Sequence, residues 1–253
     1  MVTALITGAS SGLGAEYARQ LAARGADLVL VARSVDALGA VAEAIRSCHR
    51  VDVEILGADL TVTEDVERVA ARLADPAAPI ELLVNNAGFG LPLDFETNDI
   101  AREVDHLRIH VEAPLRLTHA ALAGMLSRGH GRVLNVASVA AYLPRSTYGA
   151  CKRWLVEFSR WANALYTPRG VTVTAVCPGF THTDFHERMG LPPGQEGVPG
   201  PLWLDARDVV AESLRDAARG RGVSIPSVRY KALVRLAALL PASVAAGIGT
   251  RGR

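Results

Sequence analysis

Residues 7–14 read Thr7-Gly8-Ala9-Ser10-Ser11-Gly12-Leu13-Gly14 and directly follow the apolar run Thr3–Thr7. An apolar run, a glycine-rich turn and a helical pattern in this order predict a strand–turn–helix unit. Such a unit directs free backbone N–H groups and the positive end of a helix towards a bound phosphate. We expect Gly8 to permit the tight turn, Gly12 to let the backbone approach a pyrophosphate, and Gly14 to allow close packing of helix on strand.

The spacing of these glycines, Gly-x-x-x-Gly-x-Gly, differs from the Gly-x-Gly-x-x-Gly dinucleotide fingerprint. It is not a P-loop either, because no Gly-Lys-Ser/Thr follows. A tight turn without a ligand is the alternative interpretation. The position of the turn, after the first strand of a predicted doubly wound sheet, favours a phosphate site.

Short apolar runs alternate with longer helical patterns along the chain. The runs that predict strands are Thr3–Thr7, Leu28–Ala32, Val51–Leu56, Ile80–Val84, Arg132–Ala137, Val171–Val176 and Val223–Ile225. The helical patterns cover 12–25, 35–48, 64–74, 99–127, 147–167 and 206–219. Runs rich in Val, Leu and Ile with little polar alternation indicate strands that are buried on both faces. We therefore expect an α/β fold, in which a doubly wound parallel sheet of Rossmann type lies in a three-layer α/β/α sandwich.

One domain is expected to span residues 1–253. Within it, the Pro/Gly-rich segment 184–204 is interpreted as a substrate loop and 227–253 as a C-terminal helical tail. The apolar spacing in the tail, with basic residues opposite, predicts a helix that docks on the fold. Closing a subunit interface or touching a membrane surface are the alternatives for this tail.

Charge and cysteine content exclude several classes of protein. The chain has 27 basic and 26 acidic side chains, so a nucleic-acid or anionic-membrane partner is not expected. Its three cysteines lie far apart, which predicts reduced thiols rather than disulfides, and no cluster predicts a metal site. The N-terminus does not resemble a signal peptide and no segment is a clean transmembrane helix. We expect a cytoplasmic protein.

The end of the second predicted strand bears on the choice of dinucleotide. An NAD site places an acidic residue here for the ribose 2′-hydroxyl, whereas an arginine accommodates a 2′-phosphate. This chain has Ala32 and then Arg33, and its next acidic residue is Asp36. A guanidinium binds phosphate through charge-assisted hydrogen bonds. The sequence therefore favours NADP(H) over NAD(H), unless Arg33 is an ordinary surface arginine.

Tyr148 and Lys152 lie one turn apart on a predicted helix. A nearby ammonium stabilises a phenolate, so we expect Lys152 to lower the pKa of Tyr148. The chain has two lysines against 25 arginines, which suggests that a compact ammonium is needed at this position. A chance pair is the alternative. Ser138 ends a strand upstream and faces the same crevice, unless its hydroxyl only satisfies local backbone.

Together these residues resemble the classical short-chain dehydrogenase/reductase family over nearly the whole chain, to about residue 226. The resemblance rests on ordered motifs: the Thr7–Gly14 turn, Asp59-Leu60, Asn85-Asn86-Ala87-Gly88, Ser138, Tyr148-x-x-x-Lys152 and Pro178-Gly179-Phe180-Thr181-His182-Thr183. It implies that Asp59 and Leu60 lie by the adenine. With Arg33 from the argument above, the expected cofactor-binding residues are Gly8, Ser10, Ser11, Gly12, Leu13, Gly14, Arg33, Asp59, Leu60, Asn86, Ala87, Gly88, Tyr148, Lys152, Pro178, Gly179, Thr181 and Thr183.

The resemblance also implies catalytic roles. Tyr148 would be the general acid in reduction and the base in oxidation, Lys152 would hold the nicotinamide ribose, and Ser138 would bond the substrate oxygen. His110 stands where the family commonly has an asparagine of a proton relay. Imidazole can also donate and accept, so we count His110 as a fourth catalytic candidate, a packed histidine being the alternative. The Ser138–Tyr148 spacing is shorter than is common in the family, which predicts a more open pocket.

We therefore expect an NADP(H)-dependent oxidoreductase that interconverts a carbonyl and an alcohol on an apolar small molecule. The apolar character is predicted from the segment that contains Phe185, His186, Met189, Leu191, Leu202 and Trp203. A metal at His182 and His186 is not expected. By analogy with the family, we expect a homodimer or homotetramer. The alternative function is a dinucleotide-binding regulatory or scaffold protein with little turnover.

Overall fold

The computed structural model describes residues 2–183 and 199–238. The strands are β1 Thr3–Thr7, β2 Asp27–Ala32, β3 Val53–Gly57, β4 Leu82–Asn85, β5 Gly131–Val136, β6 Val171–Val176 and β7 Val223–Ser224. The helices are α1 Gly12–Ala22, α2 Val35–Cys48, α3 Thr63–Ala74, α4 Ile100–Leu107, α5 Ala113–Arg128, α6 Thr147–Tyr166, α7 Ala206–Ala218 and α8 Val228–Ala238. A π-helical turn, Arg108–Glu112, joins α4 to α5, and short 3₁₀ turns cover Val139–Tyr142, Thr167–Arg169 and Gly200–Leu202.

All seven strands form one sheet in the order β3-β2-β1-β4-β5-β6-β7, and every pairing is parallel. The chain winds outwards from β1 to β3 and then returns to start the other half at β4. The carboxyl ends of β1 and β4 are therefore the switch point of the sheet, where ligands bind in open α/β folds. This arrangement confirms the Rossmann-type fold that the apolar runs predict.

The sheet separates two hydrophobic cores. On one face, Ile6 and Leu30 pack with residues of α1, α2 and α7, among them the fully buried Tyr17. On the other face, Leu5 and Val29 pack with residues of α3, α5 and α6. Successive residues of β1 and β2 thus point into opposite cores, as strands buried on both faces require. These two layers of helices make the predicted three-layer sandwich.

The main difference from the sequence prediction concerns the helix expected over 99–127. The structure divides this segment at the π-helical turn, where the Ala113 N–H donates to Arg108 O, five residues back. Pro114 lies at the start of α5 and cannot donate to a carbonyl one turn back, so the regular α-helical ladder is interrupted there. The turn contains His110. The other helix and strand limits shift by a few residues, as frayed ends do.

A chain of buried polar side chains crosses the core beneath the carboxyl end of the sheet. Asn85 Nδ2 donates to Asn135 Oδ1 at 2.9 Å and to Thr118 Oγ1 at 3.2 Å, and Asn135 Nδ2 donates to Ser159 Oγ at 2.9 Å. The bonds link β4, β5, α5 and α6. Because these elements carry the residues described next, the network braces the site from behind.

Candidate active site

The glycine turn has the geometry that its sequence predicts. Gly8 and Gly12 have φ values of 66° and 54°, in the left-handed region that favours glycine. A Cβ on Gly14 would lie 2.1 Å from Gly8 O, so α1 can pack this close to the turn only because residue 14 has no side chain. Among the described residues, a Cβ on Gly12 would meet only Thr183, at 3.4 Å. The start of α1 therefore faces Thr183 of the segment after β6.

Asn86 holds the turn in place from β4. Its Nδ2 donates to Thr7 O at 2.9 Å and to Gly8 O at 3.2 Å, while its backbone N–H donates to Thr7 Oγ1 at 2.9 Å. The Ala87 N–H reaches the same hydroxyl at 3.0 Å. The loops after β1 and β4 are thus joined at the switch point, and Asn86 and Ala87 lie against the glycine turn.

Arg33 is exposed directly after β2, and within the described residues it makes no hydrogen bond or ion pair. The next residue, Ser34, caps α2 by accepting from the Ala37 N–H at 3.2 Å. Leu60 is buried, whereas the Asp59 carboxylate accepts from the Thr61 N–H and hydroxyl at 3.0 and 2.8 Å. Asp59 therefore already shapes the loop before α3.

Ser138 and Tyr148 are hydrogen-bonded to each other, although fewer residues separate them than is common in the family. Ser138 follows β5 and its Oγ also accepts from the Ala140 N–H at 3.1 Å, which starts the 3₁₀ turn. Tyr148 lies in the first turn of α6, where Ser146 caps the helix by accepting from the Gly149 N–H at 3.1 Å. A strand end and a helix start therefore bring the two hydroxyls together at the carboxyl edge of the sheet. The local bond of Ser138 and its bond to Tyr148 coexist.

Lys152 is buried and its Nζ donates to Val136 O at 2.6 Å, while lying 5.5 Å from the centroid of the Tyr148 ring. The expected lowering of the Tyr148 pKa is wrong for the protein alone. Burial, which opposes a phenolate, dominates and raises the pKa of Tyr148, although the bond to Ser138 acts in the opposite direction. Burial also lowers the pKa of Lys152 to about 8. The site therefore contains a protonated phenol beside an ammonium that loses its proton readily.

His110 is 1% exposed and its Nε2 lies 2.7 Å from Phe89 O. A carbonyl only accepts, so Nε2 must be protonated and Nδ1 must be an acceptor in the neutral ring. Nδ1 has no hydrogen-bond partner among the described residues. Burial, and then the charge of Lys152, holds the pKa of His110 well below its usual value. The imidazole therefore presents a single buried acceptor, and its ring packs against Tyr148 with centroids 5.3 Å apart.

His106 also belongs to this cluster, and the sequence analysis did not select it. It is 1% exposed, and its ring centroid lies 4.5 Å from that of His110 and 5.9 Å from that of Tyr148. Burial lowers its pKa to about 4. The His106–His110 spacing of one helical turn was the available signal in the sequence. This spacing was not used, because a single helix expected over 99–127 did not show which of its faces lies towards the active site.

The segment after β6 forms the wall of the site that faces the glycine turn. The Val139 N–H donates to Pro178 O at 3.0 Å, so this wall begins beside Ser138. Thr181 forms a parallel bridge with Leu204, and its Oγ1 donates to Gly179 O at 2.9 Å. The Phe180 ring packs on Trp203 with centroids 5.7 Å apart. This described part of the wall is largely apolar and aromatic.

Some expected substrate residues, Phe185, His186, Met189 and Leu191, lie outside the described residues, as do 239–253 of the tail. The described part of the tail forms α8, which packs on the 3₁₀ turn Val139–Tyr142. None of the helices described here has the length and apolar character to span a bilayer. In the same ranges, 2–183 and 199–238, no group of three metal-ligating side chains is found.

The described residues fit a dinucleotide. The start of α1 has no acidic residue in its first turn, and the space in front of Gly12 would be narrowed by any side chain there. Arg33 lies at the end of the neighbouring strand, and Tyr148 and Lys152 lie across the switch point. Phosphate, ribose and nicotinamide would each meet groups of matching chemistry.

Comparisons with known proteins agree with this geometry. The profile described as short chain dehydrogenase matches residues 2–191. The very-long-chain 3-oxoacyl-CoA reductase of Anas platyrhynchos is 34% identical over 188 residues, which are 71% of this chain and 60% of that protein, so less than two thirds of the relative is matched. The D-beta-hydroxybutyrate dehydrogenase of Cupriavidus necator is 33% identical over 202 residues, 78% of each protein.

Two solved structures are similar over almost their full lengths. A short-chain dehydrogenase from Sphingobium yanoikuyae in complex with NADPH is 34% identical with a TM-score of 0.85, and the match covers 95% of this chain and 96% of that one. The bulky-bulky ketone specific alcohol dehydrogenase from Comamonas testosteroni is 30% identical with a TM-score of 0.81, covering 95% of both. The chain therefore belongs to the short-chain dehydrogenase/reductase family of oxidoreductases, which use nicotinamide dinucleotides and act on alcohol and carbonyl groups.

Proposed function

We propose that the protein is an NADP(H)-dependent oxidoreductase that interconverts a carbonyl and an alcohol on an apolar small molecule, with Tyr148 as the general acid or base. The observation that carries this proposal is the Ser138–Tyr148 hydrogen bond, with Lys152 Nζ 5.5 Å from the tyrosine ring centroid. The cofactor, when bound, supplies or removes the hydride. The protein's own groups then have to orient the substrate oxygen and move one proton.

In the direction of reduction, the Tyr148 hydroxyl donates its proton to the carbonyl oxygen as negative charge develops there. Burial keeps this phenol protonated, which suits an acid. Ser138 donates to the same oxygen and stabilises the developing alkoxide. Lys152, already held by Val136 O, places its charge beside Tyr148 and favours the phenolate that remains. In oxidation the same groups act in reverse.

We assign His110 a positioning part on the path by which the proton that Tyr148 gives up is replaced. Its Nε2 is committed to Phe89 O, so its Nδ1 can only accept a hydrogen bond, and it would orient a proton-carrying group rather than supply the proton itself. The charge of Lys152 contributes to the lowered pKa of His110. An asparagine could fulfil the same requirement, because its amide also combines one donor with one acceptor.

The preference for NADP(H) rests on Arg33. Its guanidinium stands exposed at the end of β2 and has no carboxylate partner among the described residues. A 2′-phosphate at this position would gain charge-assisted hydrogen bonds, whereas a 2′-hydroxyl would gain little. The similarity to the NADPH complex from Sphingobium yanoikuyae supports the same choice.

The proposed substrate is a hydrophobic ketone, aldehyde or secondary alcohol. The described walls contain half-buried aromatic rings, Phe89 on one side and Phe180 with Trp203 on the other. The similarity to an alcohol dehydrogenase specific for bulky-bulky ketones is consistent with such a pocket.

We also propose that the chain assembles as a homodimer or homotetramer through α4, α5 and α6. Large apolar side chains are exposed along these helices: Val104, Leu107 and Leu115, and on α6 Trp161, which is 55% exposed, and Leu165. Exposed large apolar side chains on adjacent helices are typical of a protein interface. Measuring the mass of the native assembly by light scattering tests this, and a monomer at micromolar concentration would contradict it.

The experiment for the proposed function has two parts. Titration of the purified protein with NADPH and NADH, followed by nicotinamide fluorescence, should show tighter binding of NADPH. NADPH consumption should then be measured with a panel of apolar ketones and aldehydes. Binding without turnover on any member of the panel would support a regulatory or scaffold protein instead, and binding of neither cofactor by folded protein would contradict the proposal.

A further inference from the structure

Tyr230 in α8 is 4% exposed and links two segments that are distant in sequence. Its hydroxyl accepts from the Phe180 N–H at 3.1 Å and donates to Leu202 O at 2.9 Å. Both hydrogen-bonding roles of the phenol are therefore used on backbone groups. Burial raises the pKa of Tyr230, so the hydroxyl keeps the proton that it donates.

The ring of Tyr230 covers the backbone of Gly179. A Cβ on Gly179 would lie 2.0 Å from Tyr230 Cζ and 2.1 Å from Cε2, so no side chain fits between them. Glycine at this position thus permits a close approach of α8 to the segment after β6. The resemblance to the family implies that Gly179 binds the cofactor, and the contact with Tyr230 is a separate, structural reason for glycine at this position.

The segment that Tyr230 holds reaches the glycine turn. Leu204 N–H donates to Phe180 O at 2.8 Å, and His182 N–H donates to Leu204 O at 3.0 Å, so Phe180 and His182 are paired with the same residue. Thr183 follows directly, and its side chain is the nearest group to a Cβ placed on Gly12, at 3.4 Å. A displacement at Phe180 would therefore change the distance between Thr183 and Gly12.

The helix has other anchors that do not touch this segment. Glu212 of α7 accepts from Lys231 Nζ at 2.5 Å and from the Ser227 N–H at 3.0 Å. Although burial opposes it, the bonds from Lys231 and Ser227 lower the pKa of Glu212, so the carboxylate stays charged. These contacts fix the start of α8 to α7. They provide a matched control, because removing them loosens the helix without removing the Tyr230 hydroxyl.

We propose that Tyr230 is a positioning residue for the cofactor, which sets the distance of the Phe180–Thr183 wall from the glycine turn by tying Phe180 to Leu202. The inference rests on the proposed function, because it takes this wall as the nicotinamide side of a dinucleotide site. The hydroxyl carries the effect, and the ring only fills the space over Gly179.

The test compares Tyr230→Phe, which keeps the ring, with Lys231→Gln, which breaks an anchor on the same helix. In Tyr230→Phe the Phe180 amide should exchange with solvent about tenfold faster, because it loses its acceptor. The Kd of NADPH should rise about 3- to 10-fold, the range that one lost hydrogen bond produces, and KM for NADPH should rise more than kcat falls. Lys231→Gln should leave both the Phe180 exchange rate and the NADPH affinity within about twofold of wild type.

Three results would overturn the inference. Unchanged NADPH affinity in Tyr230→Phe would show that the bonds serve stability alone, even with faster exchange at Phe180. Unchanged exchange at Phe180 would show that the bond is not maintained in solution. An equal loss of affinity in Lys231→Gln would show that docking of α8 in general is responsible. If wild-type protein binds no NADPH, the proposed function itself fails, and that outcome is separate from the other three.

Discussion

The imidazole of His110 occupies the space that a side chain at Gly88 would need: a Cβ on Gly88 would lie 2.2 Å from His110 Cε1. Gly88 belongs to the loop after β4 and His110 to the π-helical turn before α5, so the contact joins the cofactor loop to the proposed proton path. This contact also explains why residue 88 is glycine. The His110 ring is held against it by the bond from Nε2 to Phe89 O, on the next residue.

Gly88→Ala should displace the His110 ring and destabilise the protein by about 1–3 kcal/mol, as overpacking does. The turnover number should fall with it. Gly39→Ala is the control, because a Cβ on Gly39, within α2, has no neighbour within 4 Å in the part of the chain that the structure describes. That variant should be unchanged or more stable by about 0.5–1 kcal/mol, since alanine favours a helix. Chemical denaturation measures both, and equal effects of the two substitutions would refute the packing argument.

His110→Phe should lower kcat, because the buried ring loses both its donor and its acceptor. General acid–base groups contribute about 10²–10⁴-fold, and a relay behind the acid should cost about 10-fold or more. His110→Asn should keep kcat within about 3-fold of wild type, since an amide can donate to Phe89 O and still accept. The pH profiles of kcat separate a relay from a structural role. Equal losses in the two variants, with unchanged pH profiles, would show that His110 only fills space.

Lys152 should titrate near pH 8 in the protein without cofactor, because burial lowers its pKa to about 8. The chain has two lysines, so ¹³Cε-lysine labelling gives two resonances, and Lys152→Met assigns them. An unfolded lysine holds its proton to about pH 10.4. Between these values Lys152 keeps its proton in the unfolded state and loses it in the folded state, so over that window the stability of wild type should rise with pH relative to that of Lys152→Met. A midpoint above pH 10 for the assigned resonance would contradict the burial argument.

Arg33→Ala should weaken NADPH binding about 10- to 100-fold, the range expected when hydrogen bonds to a charged group are lost. NADH binding should change by less than about 2-fold. Arg132→Ala, an exposed arginine at the amino end of β5, is the control for the change in net charge. Fluorescence titration at fixed ionic strength measures each constant. A parallel loss for both cofactors would assign Arg33 to general electrostatics rather than to the 2′-phosphate.

The fold and much of the candidate site could be predicted because their signals are local. The Thr7–Gly14 turn needs glycine at Gly8 and Gly12 for its own φ values, and the apolar runs report burial on both faces. Parallel strands then bring residues at strand ends, such as Ser138, to one edge. These requirements are met within a few residues of each motif.

The remaining features depend on packing between distant segments. Tyr230 acts on Phe180, 50 residues away, and Gly88 is filled by His110 from another element. The division of the helix expected over 99–127 also depends on Pro114, although the helical spacing of apolar residues continues past this proline. The Tyr148 pKa was expected to fall because the sequence shows its charged neighbour but not the desolvation of the half-buried phenol. The spacing of Tyr148 and Lys152 in the sequence does not show how strongly the phenol is desolvated.

Turnover of Tyr148→Phe tests the central claim most directly. The variant keeps the ring beside Lys152 and loses only the proton, so NADPH affinity should stay within about 3-fold of wild type. The rate of NADPH-dependent reduction should fall about 10²–10⁴-fold. Tyr166→Phe, at the far end of the same helix, should retain the wild-type rate. A wild-type rate in Tyr148→Phe, on a substrate that the unmodified protein reduces, would contradict the assignment of Tyr148 as the general acid and base.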